Sequence, residues 1–568
     1  MKEESRRRLS LSVLVLQTAW LAACGGGGET AVAPAPPPPA APTSAVAGLL
    51  RGPVGAQATL QLNGGDDLAA TVLRSAGVTD AYDASAFSFA TRLADGAAYA
   101  VTLKSAAVGF SCQVYKGGTG TMPVAASALR VGCERDVDHA SRSTDDRTLG
   151  TFFDTYAIAI GGSDTAVGST GTGYGEGRFV VFASSAAIAG ATGARRQIFW
   201  RDRMTNEVRL VSASAAGVEG NGDSANAVIS ADGLSVAFES SASNLVAGDS
   251  NGTRDVFVWS ALTGGAPVRA SVGSGGTEYT APSGNPTISG DGKVVAFETL
   301  NSNLTNNVAG SDSTTVVVRR DLASGSTTLI SRNLSGGAAD SYAPSISEDG
   351  KRIAFYSFQS NLVAGDTNGL WDIFVADVTA GTLQRVSLTS TGGERNQGTE
   401  SASRLVRPAI SGDGRWVAYA TTASNVVPGD TNDLQDVFVV DTQTGAVTRA
   451  STATNGTQAD ADAPIGQGER LGLSRDGSWV VFTSSATNLG VATTTTGLGN
   501  VFAHHRVTGE TRALTAITSI GGVSGPVGLS RSGAYAAFGS SQALDPRFAS
   551  SGWFVRYTGI ARSFFWVD

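Results

Sequence analysis

The sequence predicts an all-β protein, a seven-bladed β-propeller preceded by a small β-sandwich domain. Three observations predict it. A tight Asp-Gly turn or a degenerate form of it recurs seven times, an apolar triplet begins three residues after each glycine, and a second apolar triplet follows in every copy. With the segment before each turn and an outer strand after the second triplet, each copy holds four strands. Such a unit cannot bury both faces alone, and closing seven of them into a ring removes the exposed end faces that an open stack would have to cap.

The turns are Glu176-Gly177, Asp232-Gly233, Asp291-Gly292, Asp349-Gly350, Asp413-Gly414, Asp476-Gly477 and Ser532-Gly533, with glycines spaced 56, 59, 58, 64, 63 and 56 residues apart. A period of that length is the signature of a repeat architecture. The first triplets run from Val180-Val181-Phe182 through Val236-Ala237-Phe238 to Ala536-Ala537-Phe538. They are continuously apolar, which means that both faces of the strand are covered, as in a sheet stacked between two neighbours. The second triplets include Val256-Phe257-Val258, Ile373-Phe374-Val375 and Val437-Phe438-Val439, followed by outer strands such as Arg449-Ala450-Ser451. Either Asp154 to Gly161 or Ala561 to Asp568 could close the ring.

Composition agrees with a β-rich exported chain. Of 568 residues only 16% are charged, 72 are glycine, and 41 basic against 49 acidic residues give a net charge of -8. No Lys/Arg run occurs beyond the extreme N-terminus, which disfavours nucleic acid, since neutralising phosphates takes clustered positive charge.

The N-terminus reads as an address. Arg6, Arg7 and Arg8 precede an apolar stretch from Leu9 to Ala23 that is short for a membrane span and matches a cleaved signal. Its end, Leu21-Ala22-Ala23-Cys24, resembles the bacterial lipobox, which implies lipidation of Cys24 and membrane attachment through more than one acyl chain. Gly25 stands where an aspartate would imply inner-membrane retention, so the expected location is the outer membrane, facing the periplasm or the cell surface. Gly25 to Gly28 and Ala33 to Pro39 form a tether with no means of building a core, able to reach about 60 Å if near polyproline geometry. With Cys24 lipidated, Cys112 and Cys133 are left to form a disulfide in an oxidising compartment. The expected organisation is residues 1–23 signal peptide, 24–45 tether, 46–136 small β-sandwich, 137–172 linker or closing strand, and 173–568 propeller.

The Ser-x-Asp-Gly-x-x-Val-Ala-Phe pattern, followed by Val-Phe-Val-x-Asp, resembles the WD40-like repeats of the TolB-like β-propeller family over roughly Gly173 to Asp568. It departs from that family by lacking the usual proline in Ser230-Ala231-Asp232-Gly233 and its relatives, and by a longer loop after the first triplet. The resemblance therefore implies the fold and leaves TolB's own function and partners open.

That longer loop holds the candidate ligands. Asp249, Asn251 and Asp255, then Asp366, Asn368 and Asp372, then Asp430, Asn432 and Asp436 repeat oxygen-bearing side chains at i, i+2 and i+6. Calcium favours six to eight oxygens, so each set could begin a calcium site that backbone carbonyls or water would complete. The competing reading, which takes precedence, is that these residues form Asx-turns that shape a recurrent loop. Gly248-Asp249-Ser250-Asn251-Gly252 has the form of a nucleophile elbow but lies in a β-β loop, where an elbow needs a strand-to-helix turn. His139, His504 and His505 offer little for acid-base work, and Arg209, Arg269, Arg385, Arg449 and Arg512 on outer strands are expected to be solvated or to pair between blades.

The function expected is non-enzymatic: a lipoprotein propeller that binds or scaffolds a protein, peptide or envelope polymer through its loops, with no cofactor unless the loops hold calcium. The alternative is a calcium-braced polysaccharide lyase or hydrolase.

Overall fold

The computed structural model describes residues 42–76, 82–123, 129–135, 137–139, 158–161, 177–304, 311–397, 406–463, 470–490, 499–515, 523–540 and 552–558. Residues 1–41, which hold the expected signal segment, Cys24 and most of the expected tether, lie outside the described residues. The chain is all-β, with one single-turn 3-10 helix at Asn301–Asn303 among the described residues.

Each Asp-Gly turn is built by its own side chains. In the second copy the Ser230 hydroxyl reaches the Asp232 carboxylate, the Leu234 amide donates to the same carboxylate at 3.0 Å, and the Ser235 amide donates to Ser230 Oγ at 2.9 Å. The same three bonds recur around Ser289 and Asp291, Ser347 and Asp349, Ser411 and Asp413, and Ser474 and Asp476. The serine two residues before the aspartate thus ties both limbs of the hairpin, an Asx/ST device that sets register from local sequence alone.

Seven four-stranded antiparallel sheets follow from these hairpins. The first comprises Ile158–Gly161, Phe179–Ser184, Gln197–Asp202 and Val208–Leu210, and the second Ser224–Ile229, Ser235–Ser240, Asp255–Ser260 and Val268–Arg269. The third to sixth repeat this order through Thr511–Ala513. The seventh holds Val523–Leu529, Tyr535–Ser540 and Gly552–Tyr557, and its outermost strand is Val137–His139 from far upstream. Ring closure thus draws on both Val137–His139 and Ile158–Gly161, whereas Ala561 to Asp568 lie outside the described residues.

The turn glycine also spaces the sheets. Gly233 has φ +76°, and a Cβ there would lie 2.2 Å from Phe179 of the preceding sheet; Gly477 would meet Trp416 at 2.3 Å, and Gly177 of the first sheet would meet Tyr535 of the seventh at 2.4 Å. Seventh packs on first just as each sheet packs on the next. Inner strands are further joined by main-chain bonds from Gly290 to Glu348, Glu348 to Gly412, Asp413 to Arg475 and Arg475 to Arg531. Between sheets lie the apolar triplets, with Val236, Ala237, Phe238, Ile353, Ala354, Phe355 and their counterparts at 0% exposure. At about 25 cal/mol per Å², this interleaved core is the main source of stability.

Ahead of the ring, two more four-stranded sheets share one core. One orders Tyr82–Ala94, Thr43–Pro53, Arg130–Arg135 and Phe110–Lys116, and the other Asp66–Thr71, Gln57–Leu62, Ala98–Ala106 and Thr119–Thr121. Val46, Leu50, Leu60, Leu62, Phe89, Val101 and Val131 pack together between them. Cys112 and Cys133 face each other in register on neighbouring strands and form a disulfide.

Candidate functional site

The recurrent Asp/Asn loops are held by an arginine. In the fourth sheet the guanidinium of Arg385 lies 2.7 Å from Asp366, 3.5 Å from Asp372 and 3.0 Å from Glu394. Its side chain is 8% exposed, those of Asp366 and Asp372 3% and 0%. Asn368 does not point at this centre with its oxygen: Oδ1 accepts from the Leu370 amide in an Asx-turn at 2.9 Å, and Nδ2 donates to Asp372 at 3.0 Å. The second sheet repeats this with Arg269 among Asp249, Asp255 and Glu278, and with Asn251 bonded to the Thr253 amide and to Asp255. In the fifth, Arg449 pairs with Asp430 and Asp436, Asn432 accepts from Leu434, and Gln458 replaces the glutamate.

The last aspartate of each triad has a second duty. Asp255, Asp372 and Asp436 accept from the buried hydroxyls of Ser271, Ser387 and Ser451, each of which also accepts the amide of Val256, Ile373 or Val437. In the first and sixth sheets Gln197 and Asn500 occupy the same position and bond Ser212 and Thr515. A neutral amide serves as well as a carboxylate there, so the position needs an oxygen and not a charge.

Burial raises the carboxyls of Asp249, Asp255, Asp366, Asp430 and Asp436 above the usual range. Glu278 and Glu394, at the exposed rim, are held down to about 2, the former first by the Ser250 hydroxyl and the latter first by the Thr367 amide. Asp249, Asp255 and Glu278 place carboxylate oxygens within 4.8 Å of one another, a spacing that a metal ion could use, with Arg269 ion-paired to all three. Outer-strand arginines accordingly divide: Arg269, Arg385 and Arg449 turn inward, whereas Arg209 and Arg512 stay about two-fifths exposed beside Glu207 and Glu510. A signal for this exists in the sequence, since Glu278, Glu394 and Gln458 each stand nine residues after the inward arginine.

His504 is buried against Thr511 at 2.8 Å and lowered to about 4 by burial, while His505 bonds Thr508 and packs on Trp479. His139 lies in the closing strand. Burial lowers the His505 ring even though Asp476 and Glu510 act on it from a distance.

The ring axis carries charged residues that the motif reading passed over. At the Asp-Gly end, Glu348 is ion-paired to Arg475 at 2.8 Å and Arg531 at 3.1 Å, inside a recess of about 500 Å³ rimmed by Asp232, Asp291, Asp349 and Asp413. Beneath it Ile229, Ile288, Ile346, Ile410, Leu473 and Leu529, one from each of six consecutive inner strands, form an apolar collar. Deeper still, at the position seven residues before each turn glycine, stand Asn226, Asn285, Ala343, Arg407 and Arg470. Arg407 donates to the Pro286 carbonyl at 2.9 Å and Arg470 to Asn226 Oδ1 at 3.3 Å, links between sheets that are not neighbours in the chain. Glu239 and Glu298 complete the cluster. Glu239 accepts from Asn285 and pairs with Arg254 at 3.2 Å, and Glu298 accepts from the Ala343 amide and Asn285 Nδ2.

No family model matches the chain, and no curated protein sequence does. Among solved structures it is similar to TolB from Acinetobacter baumannii (15% identity, 60% of this chain and 67% of that one, TM-score 0.33). It is also similar to an oligogalacturonate lyase from Vibrio parahaemolyticus (10%, 82% and 100%, TM-score 0.43) and to the hydrazine synthase of Kuenenia stuttgartiensis (13%, 73% and 99%, TM-score 0.37). These likenesses are remote, and the architecture rests on the chain's own sheets.

Proposed function

We propose that this chain is a lipid-anchored outer-membrane protein whose seven-bladed propeller binds or scaffolds a protein, peptide or envelope polymer without catalysing a reaction. In this reading residues 1–23 are removed, Cys24 carries the lipid, 24–45 is the tether, 46–136 is a small β-sandwich, 137–172 supplies the closing strands and 173–568 the remainder of the propeller. The observation that carries it is the recessed Asp-Gly end of the ring. Six short turns converge there on an ion-paired centre of Glu348, Arg475 and Arg531, with aspartates on the rim. Short, hydrogen-bonded turns on a rigid ring make a preorganised polar surface, which suits recognition of a macromolecule at low entropic cost.

The Asp/Asn loops fit the same reading as braces. An arginine supplies the positive charge between Asp366, Asp372 and Glu394 that a cation would otherwise supply, so the propeller is assigned no cofactor. Affinity capture from envelope extract tests the function: one stoichiometric partner is expected, and Glu348→Ala with Arg531→Ala should release it. Retention of the partner by that double variant, or turnover of an envelope polysaccharide by the purified chain, would overturn the reading.

A further inference from the structure

Outer strands of the ring run on into short hairpins, marked by bridges between Val272 and Glu278, Arg332 and Ala338, and Thr452 and Gln458. Two of these hairpins cap the outer edge of the next sheet. Between the second and third sheets, Ser274 Oγ accepts from the Thr327 amide at 2.9 Å and donates to the Thr327 carbonyl at 3.2 Å. Thr327 Oγ1 donates to the Val272 carbonyl at 2.8 Å, and Arg320, paired with Thr327 across the strands, donates to that of Gly273 at 3.1 Å. Between the fifth and sixth sheets, Thr454 Oγ1 accepts from the Thr511 amide at 2.9 Å and donates to its carbonyl at 3.2 Å. One hydroxyl thus supplies the acceptor and the donor that a further strand would bring to the edge.

The hairpin of the third sheet does otherwise. Leu334 stands where Ser274 and Thr454 stand, two residues after the first bridge residue, and its amide turns to the Asn361 carbonyl at 2.9 Å. In the fourth sheet, Leu383 takes the place of Thr327 and its partner Ala376 that of Arg320. Three polar positions have become apolar together. Beside them lies a groove of about 580 Å³ whose walls include Leu329, Leu334, Leu362, Val363, Val378 and Leu383, with Leu334 67% exposed. Amides alternate in direction along a strand. That of Val386 bonds inward to the Ile373 carbonyl at 2.9 Å, so that of Leu383 faces outward. Among the described residues, no hairpin side chain meets the Leu383 amide or carbonyl. The second sheet treats the same edge position differently: Pro267, four residues before Ser271 as Leu383 is before Ser387, has no amide to offer.

We propose that this groove binds an extended peptide segment of a partner protein, which pairs its backbone with Leu383 as an added strand and seats an aliphatic side chain against Leu334 and Leu362. Ser274 and Thr454 show the hydrogen bonds that such an edge takes. The residue opposite Leu383 in an antiparallel pair points to the same face as that leucine, so its side chain enters the groove. A lipid chain would fill the apolar space and leave the Leu383 amide and carbonyl unmet, whereas a peptide satisfies both. The groove lies on the outer strands and uses neither Glu348, Arg475 nor Arg531, so it stands or falls independently of what docks in the Asp-Gly recess.

Hydrogen exchange of the full chain, read residue by residue, and fluorescence anisotropy with labelled pentapeptide amides test the proposal. The peptides hold four threonines around a central leucine, N-methyl-leucine or lysine. Without peptide, the Leu383 amide should exchange at least tenfold faster than those of Thr327 and Thr511. The leucine peptide should bind saturably and slow that exchange at least tenfold, and the other two should bind at least tenfold more weakly. Leu334→Ser, which restores the hydroxyl found at Ser274, should weaken leucine-peptide binding at least tenfold with Tm unchanged, whereas Leu262→Ser, at a leucine 72% exposed elsewhere, should leave binding unaltered. Absence of saturable binding, equal binding of the N-methyl peptide, unaltered binding in Leu334→Ser, or a free Leu383 amide as protected as that of Thr327 would each overturn it. So would a concentration-dependent dimer that protects Leu383, which would give the groove to a second copy.

Discussion

Arg385 offers the sharpest test of how the recurrent loops are held. Replacing it with methionine keeps most of the buried stem and removes the guanidinium. Asp366 then loses the group 2.7 Å away that balances it while remaining 3% exposed at its side chain. Asp372 retains Arg395 at 3.0 Å and the Ser387 hydroxyl, so the orphaned charge is that of Asp366. Removing one partner of a buried ion pair costs about 3–5 kcal/mol, and the lower end applies here because Glu394 sits at the rim. Spread over a ring of this size, about 3 kcal/mol lowers Tm by about 3–4 °C. Urea denaturation at pH 7.5 gives the free energy, and adding Asp366→Asn should return most of it. The loss should also be smaller at pH 5 than at pH 7.5, because burial raises the Asp366 carboxyl and a lower pH favours its neutral form. A loss below about 1 kcal/mol, or one that is equal at both pH values and untouched by Asp366→Asn, would refute the brace. Millimolar calcium should leave the parent chain's Tm unchanged, and a saturable rise would show that the loops take the ion after all.

Three further outcomes follow from the same geometry. Gly477→Ala, at φ +67° with Trp416 2.3 Å from the new Cβ, should cost about 3 kcal/mol or more, against about 1 kcal/mol for Gly456→Ala, at φ +83° with open space around it; equal losses in urea melts would deny the sheet-spacing role. Glu394 is depressed from 4.5 to about 2 in the folded chain, so its contribution is full above pH 4.5 and is lost as pH falls towards 2; Glu394→Gln should flatten that part of the Tm against pH profile, and an unaltered profile would contradict the assignment. Reducing the Cys112–Cys133 bridge should remove about 3 kcal/mol from the two N-terminal sheets by loop closure, visible as faster proteolysis between Thr43 and Arg135 while the ring stays intact; cleavage appearing first within the ring would count against it.

What could be read in the sequence was what short stretches of chain decide. The Ser-x-Asp-Gly turn, the triplet three residues after its glycine and the all-β character are each set within about ten residues, by hydroxyl and carboxylate bonds to nearby amides and by continuous apolarity. The Asx-turns at Asn251, Asn368 and Asn432 belong to the same local class. The nine-residue step from each inward arginine to Glu278, Glu394 or Gln458 marks these loops in the sequence, and tertiary structure decided what they surround. Arg385 reaches Asp366 across nineteen residues, Arg475 reaches Glu348 across 127, and Arg470 reaches Asn226 across 244. No pattern of period two or four records such meetings, because they arise only when the ring brings distant inner strands around one axis and burial makes each unpaired charge expensive. The strand Val137–His139, pairing with Gly552–Tyr557 from the other end of the body, is the extreme case: its three residues carry no mark of their partner, and the need to cover the last sheet's edge selects it.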